Sequence, residues 1–203
     1  MSSRPRRVAI GITGASGALY AVRTVSSLLA LDVQVELVVS NLGSRLLRDE
    51  LGAEASVDKL ASYISGRYGG TIQSDKFVVH GNKDVGATIA SGSYLCDAMA
   101  IVPCSMKTLA GVAHGLSRNL IERAADVMLK ERRPLVVVPR ETPMSLPQLK
   151  NMVLCSEAGA QVLPAMPAFY QKPETIDDLS DFMAGKILSC LGIENNLYPA
   201  WTG

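Results

Sequence analysis

The chain has 203 residues, of which 48% are hydrophobic, and it contains no long polar tract that would indicate disorder. This length and composition favour a single α/β domain spanning residues 1–203, with a substantial core. Lys and Arg number 20 against 19 Asp and Glu, which argues against a general affinity for nucleic acid or an anionic membrane, and no apolar run reaches the roughly 20 residues that a membrane span needs.

The predicted elements alternate between short apolar runs and segments with helical spacing of apolar residues. In chain order they are a strand at 8–12, a helix at 18–31, a strand at 34–39, helices at 41–51 and 57–68, a strand at 98–102, helices at 108–114 and 119–132, a strand at 134–138, a helix at 148–159, a short strand at 162–164 and a helix at 175–191. Residues 69–97 are ambiguous, with 77–80 either a strand or part of a loop.

This alternation predicts a mostly parallel sheet covered by helices on both faces, in a Rossmann-like or flavodoxin-like three-layer sandwich. Ligands of such folds bind beyond the carboxyl ends of the strands. The residues that directly follow each strand are therefore the first candidates for a functional site.

A glycine-rich loop, Gly11-Ile12-Thr13-Gly14-Ala15-Ser16-Gly17, follows the first strand. Its glycines allow a close approach of the backbone to a ligand, and unpaired N–H groups at the next helix start favour an anion. The spacing is not G-x-G-x-x-G, which weakens a dinucleotide interpretation. The loop indicates a phosphate site, and a tight turn without a ligand is the alternative.

Hydroxyl side chains follow the next two strands. Ser40 is either the N-cap of a helix, its commoner role, or a contact for a ligand hydroxyl. Ser105 and Thr108, in Pro103-Cys104-Ser105-Met106-Lys107-Thr108, can cap a helix or face a phosphate or a flavin edge. Cys104 has no basic activator nearby in sequence and is interpreted as a packing residue.

Arg140 and Glu141 follow the fourth predicted strand, where packing explains charged residues poorly. The planar fork of Arg suits phosphate, and a Glu beside it can donate a proton to a leaving group and accept one later. The alternative is a surface ion pair that contributes about 0–1 kcal/mol. Lys130 lies in the last turn of a helix, where it complements the helix dipole, and an anion-binding role stays open.

The histidines argue against a metal site, and the cysteines indicate a reducing compartment. His80 and His114 are far apart in sequence and have no carboxylate at metal-ligand spacing. The four cysteines show no C-x-x-C pattern, and they are expected to be reduced thiols in a cytoplasmic protein.

Four segments in order resemble the UbiX-type flavin prenyltransferase family. The longest runs from Asn119 through Lys130-Glu131-Arg132-Arg133-Pro134 to Arg140-Glu141-Thr142-Pro143. The others are Thr13-Gly14-Ala15-Ser16-Gly17, Pro103 to Leu109, and Pro167-Ala168-Phe169-Tyr170. The resemblance covers nearly the whole chain.

The resemblance implies roles for individual positions. Contacts to the cofactor FMN fall on Gly14, Ala15, Ser16, Ser40, Ser91, Ser105, Met106, Lys107, Thr108, Arg123 and Arg140, with Ser93 beside Ser91 in a polar loop. The residues implied to bind the substrate phosphate are Lys130, Arg140, Tyr170 and Lys186. The implied catalytic groups are Ser16, Glu50, Lys130 and Glu141. Lys186 stands where the family often has Arg, so the charge is kept and the bidentate fork is lost.

The family chemistry is a metal-independent transfer of the dimethylallyl group of dimethylallyl phosphate to N5 and C6 of reduced FMN. The product serves UbiD-type decarboxylases, and family members form dodecamers with sites at subunit contacts. Whether the donor is a monophosphate or a diphosphate stays open, and the cations above would neutralise the departing phosphate.

Two alternatives are weighed against this interpretation. A flavin-dependent decarboxylase of the phosphopantothenoylcysteine type would carry an Asn-Thr pair near Met106-Lys107-Thr108 and a Pro-x-Met-Asn motif after the fourth strand, where this chain has Pro139-Arg140-Glu141-Thr142. A flavin-carrying module without catalysis has no use for Glu141.

Overall fold

The computed structural model describes residues 6–199, and the structural statements that follow concern this part of the chain. The strands are β1 Arg7–Ile12, β2 Gln34–Val39, β3 Phe77–Gly81, β4 Ala98–Cys104, β5 Leu135–Pro139 and β6 Gln161–Val162. The α-helices are α1 Ala18–Ala30, α2 Asn41–Leu51, α3 Leu60–Tyr68, α4 Met106–Ala113, α5 Leu120–Lys130, α6 Leu146–Glu157 and α7 Ile176–Cys190. Short 3-10 turns lie at Ala53–Ala55, Val57–Lys59 and Thr88–Ala90.

The six strands form one sheet in the order β3-β2-β1-β4-β5-β6, and every neighbouring pair is parallel. The predicted α/β fold with a parallel sheet is confirmed, and residues 77–81 are a strand at its edge. The chain order of the strands reverses between β1 and β4. In an open parallel sheet this reversal leaves a crevice at the carboxyl ends of the two strands.

Helices cover both faces of the sheet and create two hydrophobic clusters. Val8 and Ile10 of β1 belong to the cluster shared with α1 and α7, whereas Ala9 faces the cluster shared with α4 and α5. Successive strand residues point to opposite faces, and both faces are buried. For this reason β4 is buried along its whole length, and its sequence is an uninterrupted run of apolar residues.

The observed boundaries differ from the predicted ones by a few residues. Residues 57–59 form a 3-10 turn, and the α-helix predicted from 57 begins at Leu60. Helix α6 begins at Leu146, two residues before its predicted start, because Pro147 is compatible with a first helical turn. Among residues 6–199, no helix has the length and apolar character needed to span a bilayer.

Candidate active site at the carboxyl ends of the strands

Thr13 closes the base of the crevice between β1 and β4. It connects the loop after β1 to the loop after β4 by hydrogen bonds. Its Oγ1 donates to the carbonyl of Pro103 at 2.8 Å and accepts the N–H of Ser105 at 2.7 Å. Its own N–H donates to the same carbonyl at 3.2 Å. The Thr13 side chain is buried. The loop after β1 and the start of α4 are therefore held in one fixed arrangement.

Gly14 lies where this arrangement leaves no room for a side chain. A Cβ at this position would lie 2.6 Å from the Cβ of Leu42, in the first turn of α2. The glycine is thus required for the β1 loop to pass close to α2, as the glycine-rich pattern indicated.

Two predicted hydroxyl residues cap the helices that they precede. Ser40 Oγ accepts the N–H of Gly43 at 3.0 Å. Ser105 Oγ accepts the N–H of Thr108 at 3.3 Å and donates to Thr108 Oγ1 at 3.1 Å. The capping role is confirmed for both serines. The first backbone N–H groups of α4, those of Met106 and Lys107, point out of the helix start toward the crevice side, where an anion is favoured.

The start of α1 differs from the sequence-based expectation. The N–H groups of Gly17 and Ala18 donate to the Glu50 carboxylate, at 3.0 and 2.8 Å to Oε2. A carboxylate is favourable at a helix N-terminus because it complements the helix dipole. These two donors are therefore occupied by Glu50 and are not the free phosphate ligands that the loop pattern predicted, and Glu50 itself is brought to the Ser16 loop.

Arg140 extends from the end of β5 back to the β1 loop. Its Nε donates to the carbonyl of Ser16 at 3.2 Å, and the guanidinium carries four further N–H donors. The neighbouring Glu141 accepts the N–H of Thr142 at 3.1 Å through Oε1. Arg140 thus lies beside the β1 loop, and Glu141 follows it in the chain just after β5.

A cavity of ≈ 660 Å³ opens between this loop, α1 and the start of α7. Ser16, Glu50 and Arg140 line its polar side, and an apolar and aromatic side is formed by Leu19, Tyr20, Leu51, Tyr63 and Ile176. This volume lies in the range of small-molecule sites, and its mixed lining suits a ligand with an anionic and an apolar part. Burial and the nearby Glu50 charge raise the pKa of Tyr20, so its hydroxyl stays protonated.

An ion pair lies at the rim of this cavity. Arg67 donates to Asp177 at 2.7 Å, and this hydrogen bond raises the pKa of Arg67. Sequence reasoning missed Arg67, Asp177, Tyr20 and Tyr63. None of them directly follows a strand, and the sequence contains no signal that brings α3 and α7 to the β1 loop.

A second group of predicted residues lies on another part of the molecule. Helix α5 begins beside Asn82, just after β3, and ends shortly before β5 begins. Arg123 is in its first turns and donates to the carbonyl of Ala90. Lys130 is its last residue and donates to Glu131 at 2.5 Å. Lys130 therefore lies toward the amino ends of the strands, away from Arg140 of the same chain.

Lys186, on α7, and Tyr170, in the loop before α7, form a third group. The Tyr170 ring meets Phe182 edge to face with centroids 6.2 Å apart, and Lys186 Nζ lies 6.0 Å from the Phe182 centroid. Ile176, which lines the cavity, is ten residues before Lys186, or about 15 Å along the helix. A single chain thus brings together the strand-end residues and leaves the α5 and α7 groups apart.

Cys104, at the end of β4, has the predicted packing role. It is fully buried, and burial raises the pKa of its thiol, which disfavours the nucleophilic thiolate. Within residues 6–199, no group of three or more His, Cys, Asp and Glu is arranged to hold a metal ion.

We expect Thr13→Val to lower the free energy of unfolding by about 1–3 kcal/mol, because the partly buried Ser105 N–H is left without its acceptor. Thr24→Val is the matched control. Thr24 is equally buried, and its hydroxyl only donates to the Tyr20 carbonyl within α1, so the loss should stay below about 1 kcal/mol. Urea unfolding of both variants measures the difference, and equal losses would contradict the fastening role of Thr13.

A parallel α/β sheet with a glycine loop and polar strand ends at its point of reversal is typical of nucleotide-binding proteins. Comparison with known proteins gives the class. The family model described as Flavoprotein matches residues 1–188.

Curated relatives cover almost the full length of the chain. The flavin prenyltransferase UbiX of Alkalihalophilus pseudofirmus is 45% identical over 203 residues, covering 99% of each protein. The flavin prenyltransferase LpdB of Lactiplantibacillus plantarum is 44% identical over 199 residues, covering 98% of this chain and 99% of the relative. The chain therefore belongs to the Flavoprotein family, among the UbiX-type flavin prenyltransferases.

Solved structures agree with this assignment. AnUbiX (PadA1), determined in complex with FMN and dimethylallyl pyrophosphate, superimposes with a TM-score of 0.88 at 37% identity, over 98% of this chain and 99% of that chain. A dodecameric FMN-dependent Ubix-like decarboxylase from Escherichia coli gives 0.85 at 38% identity, over 97% and 100%. A PPC decarboxylase, at 17% identity and a TM-score of 0.57, shares the fold alone.

Proposed function

We propose that this chain is a flavin prenyltransferase that joins the dimethylallyl group of dimethylallyl phosphate to N5 and C6 of reduced FMN. The observation that carries the proposal is the convergence of the Thr13–Gly17 loop, the capped start of α4 and Arg140 on one crevice, with Glu50 at the same loop and Glu141 next to Arg140 in the chain. The close relation to flavin prenyltransferases supports the reaction class.

The residues of the crevice fit FMN by their donor set. The N–H groups at the start of α4 and the Arg140 guanidinium suit a phosphate. Gly14 lets the β1 loop pass close to Leu42 of α2. The residues that would hold FMN in one chain are Gly14, Ala15, Ser16, Ser40, Ser105, Met106, Lys107, Thr108 and Arg140. When bound and reduced, FMN supplies the nucleophilic N5 and C6.

The protein's own groups have three tasks. Cations at the donor phosphate neutralise the charge that develops as the C–O bond breaks with its electron pair on phosphate. Tyr20, Tyr63 and Leu19 shield the allylic carbon from water. Glu141 gives a proton to the departing phosphate and later accepts one, and Ser16 lies beside Glu50 to pass protons in the same loop.

We infer that the complete site is shared between subunits. The cations Lys130 and Arg123 lie on α5, apart from Arg140 of the same chain, and Ser91 lies in the segment packed against α5. Lys186 lies on α7, and Tyr170 lies in the preceding loop against Phe182 of that helix. All of them can act at one phosphate and one flavin only when a neighbouring copy is placed against the crevice, as in a dodecamer.

This sharing predicts complementation between two inactive variants. Lys130→Ala and Glu141→Gln should each be nearly inactive alone. After the two are unfolded and refolded together, some sites combine an intact Lys130 from one subunit with an intact Glu141 from another, and prenyl transfer should return to a quarter or so of the wild-type rate by random mixing. Mixtures that remain as inactive as the separate variants would place both residues in one subunit's site.

Two further attributes belong to the proposal. The prenylated FMN is passed to a UbiD-type decarboxylase, as the resemblance to UbiX-type flavin prenyltransferases implies. The protein acts in the cytoplasm, which is supported by the unpaired thiols of Cys96, Cys104, Cys155 and Cys190.

The test is the mass of the flavin. The protein is incubated without oxygen with reduced FMN and either dimethylallyl monophosphate or diphosphate, and the released flavin is analysed by mass spectrometry. We expect a gain of one prenyl unit, with the donor preference read from the two rates. An unchanged flavin would instead favour a carrier, and release of carbon dioxide from phosphopantothenoylcysteine would favour the decarboxylase alternative.

A further inference from the structure

A carboxylate is buried in the middle of the sheet and has no task in the reaction described above. Glu36 lies in β2 between Val35 and Leu37 and is 1% exposed. Burial of a charge is costly unless the charge is paired and hydrogen-bonded, and an apolar residue of similar size would often be as stable. The residues that contact Glu36 therefore indicate the role of its charge.

Four side chains surround the Glu36 carboxylate. Oε1 accepts from Tyr94 Oη at 2.6 Å and from Gln34 Nε2 at 3.1 Å, and it lies 3.3 Å from Arg7 Nε. Oε2 lies 2.6 Å from His80 Nε2. Burial alone would raise the pKa of Glu36, but the hydrogen bonds from His80 and Tyr94 and the Arg7 charge outweigh it and lower the pKa. The carboxylate is thus an ionised acceptor.

Tyr94 connects this carboxylate to a segment without regular secondary structure, Ser91–Tyr94, which we call the serine turn. Its ring lies 4.5 Å below the Arg7 guanidinium. Arg133 donates to the carbonyls of Tyr94 at 2.9 Å and of Gly92 at 2.7 Å. Burial, followed by the hydrogen bond to Glu36, raises the pKa of Tyr94 to about 12, so the phenol remains a donor.

The serine turn presents two hydroxyls at the surface. Ser91 and Ser93 are exposed, and their Oγ atoms lie 2.8 Å apart. The turn also packs on the end of α5, because a Cβ on Gly92 would lie 2.8 Å from Lys130 Nζ. The two serines and Lys130 therefore belong to one surface, whose position depends on how the turn is held.

We propose that Glu36 and Tyr94 are positioning residues that hold the serine turn, so that one subunit presents Ser91 and Ser93 to the FMN bound by its neighbour. The inference rests on the proposed function, since it assigns the turn to the flavin site across a subunit contact. The hydrogen bond between Tyr94 and Glu36 holds the serine turn in one conformation before the flavin binds. This reduces the conformational entropy that is lost on binding.

The test is a double-mutant cycle on FMN affinity, without a prenyl donor. Tyr94→Phe removes only the hydroxyl and is expected to weaken FMN binding about tenfold, the loss of roughly one well-placed hydrogen bond. In a Ser91→Ala/Ser93→Ala background the same change should have almost no further effect, because the groups through which Tyr94 acts are gone. A merely structural role would give the same loss in both backgrounds.

Tyr68→Phe is the matched control. Tyr68 is also a partly buried tyrosine whose hydroxyl accepts from a charged side chain, Arg67 Nε at 3.2 Å. It lies on α3, on the opposite face of the sheet from Tyr94. It should leave FMN affinity unchanged. The proposal is overturned by unchanged affinity of Tyr94→Phe, or by equal losses in the two backgrounds. Wild-type protein that binds FMN but forms no prenyl adduct would refute the proposed reaction. The double-mutant cycle could still be measured, because it depends only on FMN affinity.

Discussion

Glu141→Gln is expected to slow prenyl transfer by about 10²–10⁴-fold while the affinity for FMN stays nearly unchanged. Loss of a positioned proton donor and acceptor has this magnitude in acid–base catalysis. The amide has the same size and keeps an oxygen to accept the Thr142 N–H, so the backbone after β5 should not move. Single-turnover formation of the adduct, followed by mass spectrometry, measures the rate separately from FMN binding.

Glu157→Gln is the control for this prediction. Glu157 is exposed at the end of α6, and the same chemical change there should leave the rate unaffected. Unchanged turnover of Glu141→Gln would remove Glu141 from the mechanism. A parallel loss of FMN binding would make it a binding residue instead.

Gly14→Ala is expected to weaken FMN binding by about 100-fold. The added Cβ would lie 2.6 Å from the Leu42 Cβ, which is fixed to the backbone of α2, so the β1 loop must move away. Such a shift disturbs about two ligand hydrogen bonds, each worth roughly a factor of ten. Quenching of FMN fluorescence in a titration measures the affinity.

The matched control is Gly66→Ala. Gly66 is inside α3, and a Cβ there meets nothing within 4 Å, so the variant should bind FMN normally and gain about 0.5–1 kcal/mol of stability. Normal FMN affinity of Gly14→Ala would show that the flavin does not use this loop.

Much of the fold could be predicted because buried parallel strands have a simple signature. The β4 sequence Ala98-Met99-Ala100-Ile101-Val102 is buried on both faces and is apolar throughout. In the edge strand β3 only Phe77 is buried, the next residues are partly or fully exposed, and the strand ends in His80-Gly81, so its sequence resembles a loop. A short element at a sheet edge is specified mainly by its neighbour, which local sequence does not contain.

The candidate site divides in the same way. Residues directly after strands, such as Ser16, Ser105 and Arg140, were predictable because parallel strands all end at one edge of the sheet. The contact of Glu50 with the start of α1 joins residues 32 or more positions apart, and no spacing rule predicts it. The sequence itself left Lys130 with either a helix-dipole or an anion-binding role, and Lys186 was named only through the family resemblance. The distance of both residues from the crevice depends on helix lengths and on neighbouring subunits.

The proposed prenyl transfer requires a flavin that lies at the strand ends of one subunit and beneath the cations of another. The most direct measurement is a crystal structure of the assembled protein with FMN and dimethylallyl phosphate. We predict that the flavin contacts Gly14, Ser105 and Arg140 of one subunit, and that the donor phosphate is bound by Arg140 together with a Lys130 supplied by a neighbour. A flavin bound elsewhere, or a phosphate remote from every Lys130 and Arg140 in the assembly, would contradict it.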